Sequence, residues 1–326
     1  MGSIMNSISV GLHLGERALH AVEVRREGGR PVLWRVGRVS LPVELAPEAL
    51  LRAEAQAHLA EALRRLFEES GIDRRSVALS VGGNFSVIKR VPLEVASDEE
   101  RREQVTWEAS QHLIDPVPDY CIDYHAFGRT AFLIAVRRQM ADACSDVCER
   151  AGLGLKGVEV DPLSLFYACR MASGDASGEE ARGASAVYVG GRWASCISTW
   201  GADLTAVEVV RLDRGGWRLR AGTDEERMET KEAAVRALGR RIAGGLVPER
   251  RNGGTARERR VLLSGDRQVV EEVGRWWTGM EPLTVAFIDP FARADLGSLP
   301  ADQRPLLDWR TGFAVSAGAA YKNLCA

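Results

Sequence analysis

The sequence has no apolar run approaching the roughly 20 residues that a membrane-spanning helix requires, so the chain is not expected to cross a bilayer. It also lacks an excess of positive charge: 43 Lys and Arg stand against 45 Asp and Glu, a net charge of -2. With no surplus of cations to neutralise phosphates, general nucleic-acid binding is not expected. Cysteine is sparse and scattered, at 121, 144, 148, 169, 196 and 325. Cys144 and Cys148 share a helix face, but no second pair completes a zinc site, and buried reduced thiols are the expectation. Residues 1–6 carry no basic segment leading into an apolar core, so no signal peptide is read there. No Walker-type loop and no Ser-His-Asp or Cys-His arrangement is legible from spacing. What remains is a chain of 326 residues, 45% hydrophobic and 27% charged, long enough for two lobes with real cores.

The chain opens on period-2 alternation. Ile8, Val10, Leu12 and Leu14 point one way, as a half-buried strand requires. Gly15-Glu16 turns into a strand through His20, Val22 and Val24, and Gly28-Gly29 turns into a third over residues 32–41. Leu59, Ala62, Leu63, Leu66 and Phe67 follow the helical period up to a stop at Gly71, and residues 76–81 form a buried strand. The same grammar returns later. Strands at 184–189, 194–200 and 204–212 precede a helix over 226–242 and a strand at 261–263. This is a repeat of organisation rather than of residues. Each half begins with consecutive hairpins instead of βαβ crossovers, which separates it from a doubly wound sheet.

Between the halves, the pattern predicts a strand at 87–92, a helix over 99–113, a hairpin around Gly128 and a helix over 139–151 ended by Gly152. The Gly-, Ala- and Ser-rich stretch 171–183 reads as a linker, and Asn252-Gly253-Gly254 as a loop. Basic runs at Arg250-Arg251 and over 257–260 read as solvated loops.

Several motifs resemble those of PilM-type type IV pilus assembly proteins, actin-like relatives of the division protein FtsA. The opening Val10-Gly11-Leu12-His13-Leu14-Gly15 with His20-Ala21-Val22-Glu23-Val24 is similar to that family's start. Trp107-Glu108-Ala109-Ser110-Gln111-His112, then Pro116 and Asp123-Tyr124, looks like its signature in an inserted subdomain called 1C. Leu133 to Arg138, Ala151-Gly152-Leu153 and Val158-Glu159-Val160-Asp161 extend the likeness, as do Val261 to Gly265, Asp289-Pro290-Phe291 and Phe313 to Gly318. The resemblance implies an α/β actin-like ATPase fold, duplicated ribonuclease-H-like lobes with an inserted SHS2-like subdomain. The boundaries it implies are 1–83 for the first lobe, completed by a C-terminal helix at 311–326, then 84–156 for the insertion. A hinge and linker at 157–183 and the second lobe at 184–310 follow.

The resemblance further implies a cytoplasmic scaffold at the inner-membrane pilus platform, reaching the membrane only through partners. Its partner would be the short N-terminal cytoplasmic segment of a PilN-like bitopic protein, held in a groove between the first lobe and the insertion. Other pilus-platform proteins would be further partners. Many members bind ATP between the lobes. There, hairpin amides cradle phosphates and carboxylates hold hydrated magnesium.

Aligned on Gly11 and Gly15, His13 stands at the aspartate position of the first phosphate loop and His20 at the lysine position. Aligned on Gly190, with Gly191 beside it, Tyr188 stands at the corresponding aspartate of the second. Histidine and phenol are poor magnesium ligands, so ATP with magnesium is a doubtful cofactor and none is expected. Ser264-Gly265-Asp266 keeps one glycine of the adenine turn, and Asp266 is expected to cap the next helix. Glu159 and Asp161 are the weak catalytic candidates, read equally as hinge hydrogen-bonding groups. A histidine pair at 13 and 20 with no third ligand makes no metal site.

Candidate partner contacts are Val87, Ile88 and Lys89 on a strand edge, with Trp107, Gln111 and Pro116 from the signature; Trp107 itself is expected in the core. One of Trp276 and Trp277 is expected buried and the other on a docking surface. The leading reading is a binding scaffold with a degenerate nucleotide site. An active actin-like ATPase or kinase, and the cytoplasmic domain of a GspL-like type II secretion protein, are the alternatives.

Overall fold

A computed structural model describes residues 8–28, 30–94, 97–173, 184–200, 203–212, 231–244 and 259–325. The expected loop at 252–254, the linker beyond residue 173 and the first part of the 226–242 helix lie outside these residues.

Strands β1 (Ile8–Leu14), β2 (Ala18–Glu27) and β3 (Arg30–Ser40) form consecutive antiparallel hairpins. Helix α1 (Ala53–Ser70) buries Leu59, Leu63, Leu66 and Phe67. It stops where Gly71 adopts φ 63° and donates its N–H to Phe67 O, a left-handed cap that a side chain would disfavour. The chain then enters β4 (Val77–Val81), parallel to β1.

Next come β5 (Ser86–Pro92), α2 (Asp98–His112), β6 (Tyr120–Phe127), β7 (Thr130–Arg137) and α3 (Arg138–Arg150). β8 (Leu155–Val160) returns to the first sheet beside β4, and α4 (Asp161–Ser173) follows. The second half has β9 (Ala184–Val189), β10 (Trp193–Trp200), β11 (Asp203–Arg211), α5 (Lys231–Gly244), β12 (Arg259–Gly265) and α6 (Arg267–Trp277). It closes with β13 (Leu283–Phe287), a kinked 3-10 segment (Arg304–Phe313) and α7 (Ala314–Cys325).

The two large sheets have the orders β3-β2-β1-β4-β8 and β11-β10-β9-β12-β13. Each is three antiparallel strands continued by two parallel ones, so the halves match strand for strand. The helices match too: α1 with α5, α3 with α6, and α4 with α7. This correspondence corrects two boundaries. α3 and β8 belong to the first lobe's repeat, and α3 packs into the same core as α1. The insertion is therefore the three-stranded sheet β5-β7-β6 with α2, which has its own core of Val91, Val105, Ala109, Tyr120 and Leu133. Residues 157–173, expected as hinge and linker, are the end of an edge strand and a buried helix. α4 escaped the periodicity reading because Leu163, Leu165, Phe166, Ala168 and Met171 leave no polar face.

The opening strand also departs from expectation. β1 lies mid-sheet and is buried on both faces, with Ser9 and His13 as covered as Val10 and Leu12. α7 covers its second face. A Cβ on Gly11 would lie 1.9 Å from Ser316 O, so the glycine admits the helix. The C-terminal helix packs on the first sheet as expected, and its Gly318 crosses α4 so closely that a Cβ would lie 1.7 Å from Ser164 O. α4 in turn contacts β9 and β10, so the two helices run between the sheets and tie the lobes together.

Candidate interlobe site and groove

The hairpin tips of β1–β2 and β9–β10 meet between the lobes, and His13, His20 and Tyr188 come together beneath them. The His13 ring stands edge-on to Tyr188, centroids 5.0 Å apart, and stacks with His20 at 6.1 Å. Asp161, the first residue of α4, joins them with Oδ2 3.3 Å from His13 Nε2. Its Oδ1 accepts from Ser80 Oγ at 3.0 Å, and Ser80 accepts from Ser164 Oγ at 2.9 Å. The cluster is almost wholly buried. Neither His13 nitrogen nor His20 Nδ1 makes a hydrogen bond to the described residues, since Asp161 approaches His13 at ion-pair distance but off the hydrogen-bond line. Burial, with His13 and Arg38 nearby, lowers the His20 pKa well below its ordinary value and keeps the ring neutral. Burial, reinforced by Asp161, Glu16 and Asp266, raises the Tyr188 phenol well above its ordinary value.

The tips themselves are joined by a residue passed over in the sequence as part of a turn. Glu16, at the end of the first hairpin, accepts the Arg192 N–H at 2.5 Å, with Gly191 close beside it. A Cβ on Gly190 or Gly191 would lie 3.1 or 2.7 Å from Glu16 Oε2, so glycine there lets the carboxylate approach. Arg17 donates to Glu44 Oε1 through Nε and Nη2 at 2.9 and 2.7 Å, and Arg192 Nε donates to Glu44 Oε2 at 3.2 Å. Burial raises the Glu16 pKa against the opposing backbone amides of Arg192 and Gly191, whereas Arg17 lowers that of Glu44 against a smaller burial effect.

The glycines read from sequence as parts of the phosphate loops and of the adenine turn have unlike roles. Gly11 accommodates α7. Gly15 sits 3.4 Å, by its hypothetical Cβ, from the Tyr188 hydroxyl. Gly265, at φ 135°, lies against Val189, and its carbonyl accepts from Trp309 Nε1 at 2.8 Å. Ser264 Oγ donates to Thr311 O at 2.8 Å, so the turn is fastened to the 3-10 segment. Asp266 caps α6 as expected, accepting from Gln268 N at 3.1 Å.

The Arg192 amide of the second tip donates to the Glu16 carboxylate. The nearest buried acid, Asp161, is committed to His13 and Ser80. Among the described residues, no three His, Cys, Asp or Glu side chains converge as metal ligands.

Glu159 lies elsewhere, despite being two residues from Asp161. It pairs with Lys322 of α7 and accepts the Val160 N–H at 3.0 Å. Burial lowers the Lys322 pKa, but Glu159 outweighs it and the net shift is upward. This pair lines a cavity of about 130 Å³ between the first lobe and the insertion, with Ile122 and Tyr124 of β6, Val158 of β8 and Leu163 of α4. Among the described residues β6 and β8 are each the last strand of their sheet, so two sheet edges flank the groove.

The contacts proposed from sequence fall outside it. β5 is an edge strand, but its free side runs past β11 of the second lobe. Ile88 packs toward the first lobe's core and Val87 toward the insertion's, leaving Lys89 exposed. Trp107 is 62% exposed, a correction of its expected core role: Val105 and Ala109 form the buried face of α2 and Trp107 points away from them. Gln111 and Pro116 are exposed as well. Trp277 is buried and donates its Nε1 hydrogen to Val235 O at 2.7 Å, while Trp276 is half-buried against the second core rather than set on an open surface.

The paired five-stranded sheets, the two crossing helices and the insertion between β4 and α3 define an actin-like ATPase fold. Over 98% of its length the chain is similar to a chain of the PilM-PilN type IV pilus biogenesis complex, covering 99% of that chain at 19% identity with a TM-score of 0.71. It is also similar to the cytoplasmic domain of EpsL, an inner-membrane component of the type II secretion system of Vibrio cholerae. That match has 13% identity and a TM-score of 0.51, covering 98% of this chain and 96% of that one. No family model and no curated protein matches the sequence. At these identities the likeness shows the fold, and the PilM resemblance read from the motifs holds at that level along the whole chain. Among the described residues no helix is long and apolar enough to cross a membrane.

Proposed function

We propose that this chain is a scaffold of type IV pilus assembly that binds the N-terminal cytoplasmic segment of a PilN-like inner-membrane protein, with no working nucleotide site. The observation that carries the reading is the groove between β6 and β8. Its cavity of about 130 Å³ suits one or two side chains of a peptide, whereas ligand pockets for drug-sized molecules run to about 300–1,000 Å³. The two strand edges offer main-chain groups to an extended segment, and a mixed lining, with Ile122, Val158 and Leu163 beside Asp123, His125 and the Glu159–Lys322 pair, supplies specificity. The partner's identity rests on the likeness to the PilM-PilN complex. Membrane contact in this reading passes through that partner.

Titration of the chain with a synthetic N-terminal peptide from a PilN-like protein checks the proposal. Saturable binding that is lost on Val158→Arg is the expected result; absence of binding at millimolar peptide would overturn it. Steady phosphate release from magnesium ATP would instead favour the ATPase alternative.

A further inference from the structure

The contact between the hairpin tips carries a more specific conclusion. We propose that the Gly190–Arg192 tip is an anion-binding nest whose resident ligand is the Glu16 carboxylate, so that the chain fills its own phosphate position and latches its lobes together. The inference deepens the reading of a non-working nucleotide site and rests on it only for the identity of the displaced ligand class, a phosphate or polyphosphate.

Three independent features converge on it. First, backbone N–H groups at a glycine-containing tip form a concave donor site for one anion, and the Arg192 N–H donates to Glu16 at 2.5 Å with Gly191 close beside it. Second, glycine stands where the carboxylate comes closest; a Cβ on Gly191 would meet Glu16 Oε2 at 2.7 Å. Third, the donor loop of the latch is itself held. Leu45 N donates to Glu16 O at 2.7 Å and Leu41 N to Arg17 O at 2.8 Å, fixing the first tip to the segment after β3. Glu44 from that segment then reaches Arg17 on one lobe and Arg192 on the other. The carboxylate is thus aimed before it meets the nest, and such preorganisation makes an intramolecular anion hard for a free one to displace.

In proteins that close two lobes around a polyphosphate, the ligand supplies the negative charge that both tips share. Here the charge is covalently part of one tip. Closure therefore does not depend on a small molecule, which suits a chain whose binding surface, between β6 and β8, lies away from the cleft.

Hydrogen–deuterium exchange of the peptide spanning residues 188–194, with inorganic pyrophosphate as the probe, tests the latch directly. Glu16→Ala should speed exchange at the tip by roughly tenfold or more, leaving the central strands β9 and β12 unchanged. Pyrophosphate should then restore protection in Glu16→Ala but not alter the wild-type protein. Glu16→Gln, which keeps shape but not charge, should fall between the two and guards against a folding defect of the alanine variant. Unchanged tip protection in both variants, or protection of the wild-type tip by pyrophosphate, would overturn the proposal. Binding of the PilN-like peptide by the same variants is read separately: its loss would count against the scaffold reading, not against the latch.

Discussion

His13 and Asp161 face each other in the buried floor of the interlobe cleft, Nε2 to Oδ2 at 3.3 Å, where a magnesium-nucleotide site would need an acid in place of the imidazole. The acid comes instead from the start of α4, and its second oxygen is taken up by Ser80. A polar cluster of this kind ties β1, β4 and α4 together.

Asp161→Ala removes that tie. Ser80 loses its acceptor and His13 its charged neighbour, so stability should fall by about 1–3 kcal/mol, read from urea unfolding. If the cluster were instead a magnesium site, Asp161→Ala would alter nucleotide affinity and leave unfolding nearly unchanged.

The crossing of α4 and α7 sets a steric prediction. Gly318→Val places atoms where Ser164 O already lies within 1.7 Å of a Cβ, and both contacting groups are backbone or helix. Destabilisation of about 3 kcal/mol or outright failure to fold is expected, whereas Gly128→Ala, at an open hairpin tip, should cost far less. Thermal unfolding of the two variants compares them.

Acidification should destabilise the fold through His20. The unfolded ring takes up a proton near its ordinary value of 6.5, but the buried ring resists, its pKa held well below that value. The unfolded state therefore binds more protons over the window below pH 6.5, and stability present above that pH is lost as pH falls, by up to about 1.4 kcal/mol per pH unit for one group. His125, also lowered chiefly by burial, adds to the same slope. His20→Leu should flatten the pH dependence of urea unfolding between pH 7.5 and 5.5 without abolishing it. An unaltered slope would remove His20 as its source.

Groove variants should separate from signature variants. Val158→Arg, in the wall of the β6–β8 groove, should weaken peptide binding by roughly tenfold or more, as loss of a contact in a central pocket does. Trp107→Ala, on the exposed face of α2 and outside the lining of the groove, should change it by less than about threefold. Fluorescence anisotropy with a labelled peptide distinguishes them, and the reverse ranking would move the binding surface to α2.

Much of this architecture was legible in the sequence because hairpins announce themselves through turn glycines and alternation. Gly71, Gly128 and Gly152, all at positive φ, ended the elements that the sequence pattern said they would. α4 was not legible, since a helix buried all round has no polar face to give it a period. β13 was missed for a related reason: five residues, half-buried, at the sheet edge, carry too little pattern. His13, His20 and Tyr188 were found by their spacing from glycines and do converge. Glu16 was not found, because its partner Arg192 lies 176 residues away and nothing local marks a turn glutamate as an interlobe ligand. Glu159 and Asp161 looked equivalent in sequence. The strand end sends the first toward Lys322 and the helix start sends the second toward His13.

The most direct measurement is calorimetric titration of one preparation with two ligands in turn: magnesium ATP, and the N-terminal peptide of a PilN-like protein. The account predicts saturable heat with the peptide and none with magnesium ATP at millimolar concentration. Micromolar binding of magnesium ATP, with no binding of the peptide, would contradict it.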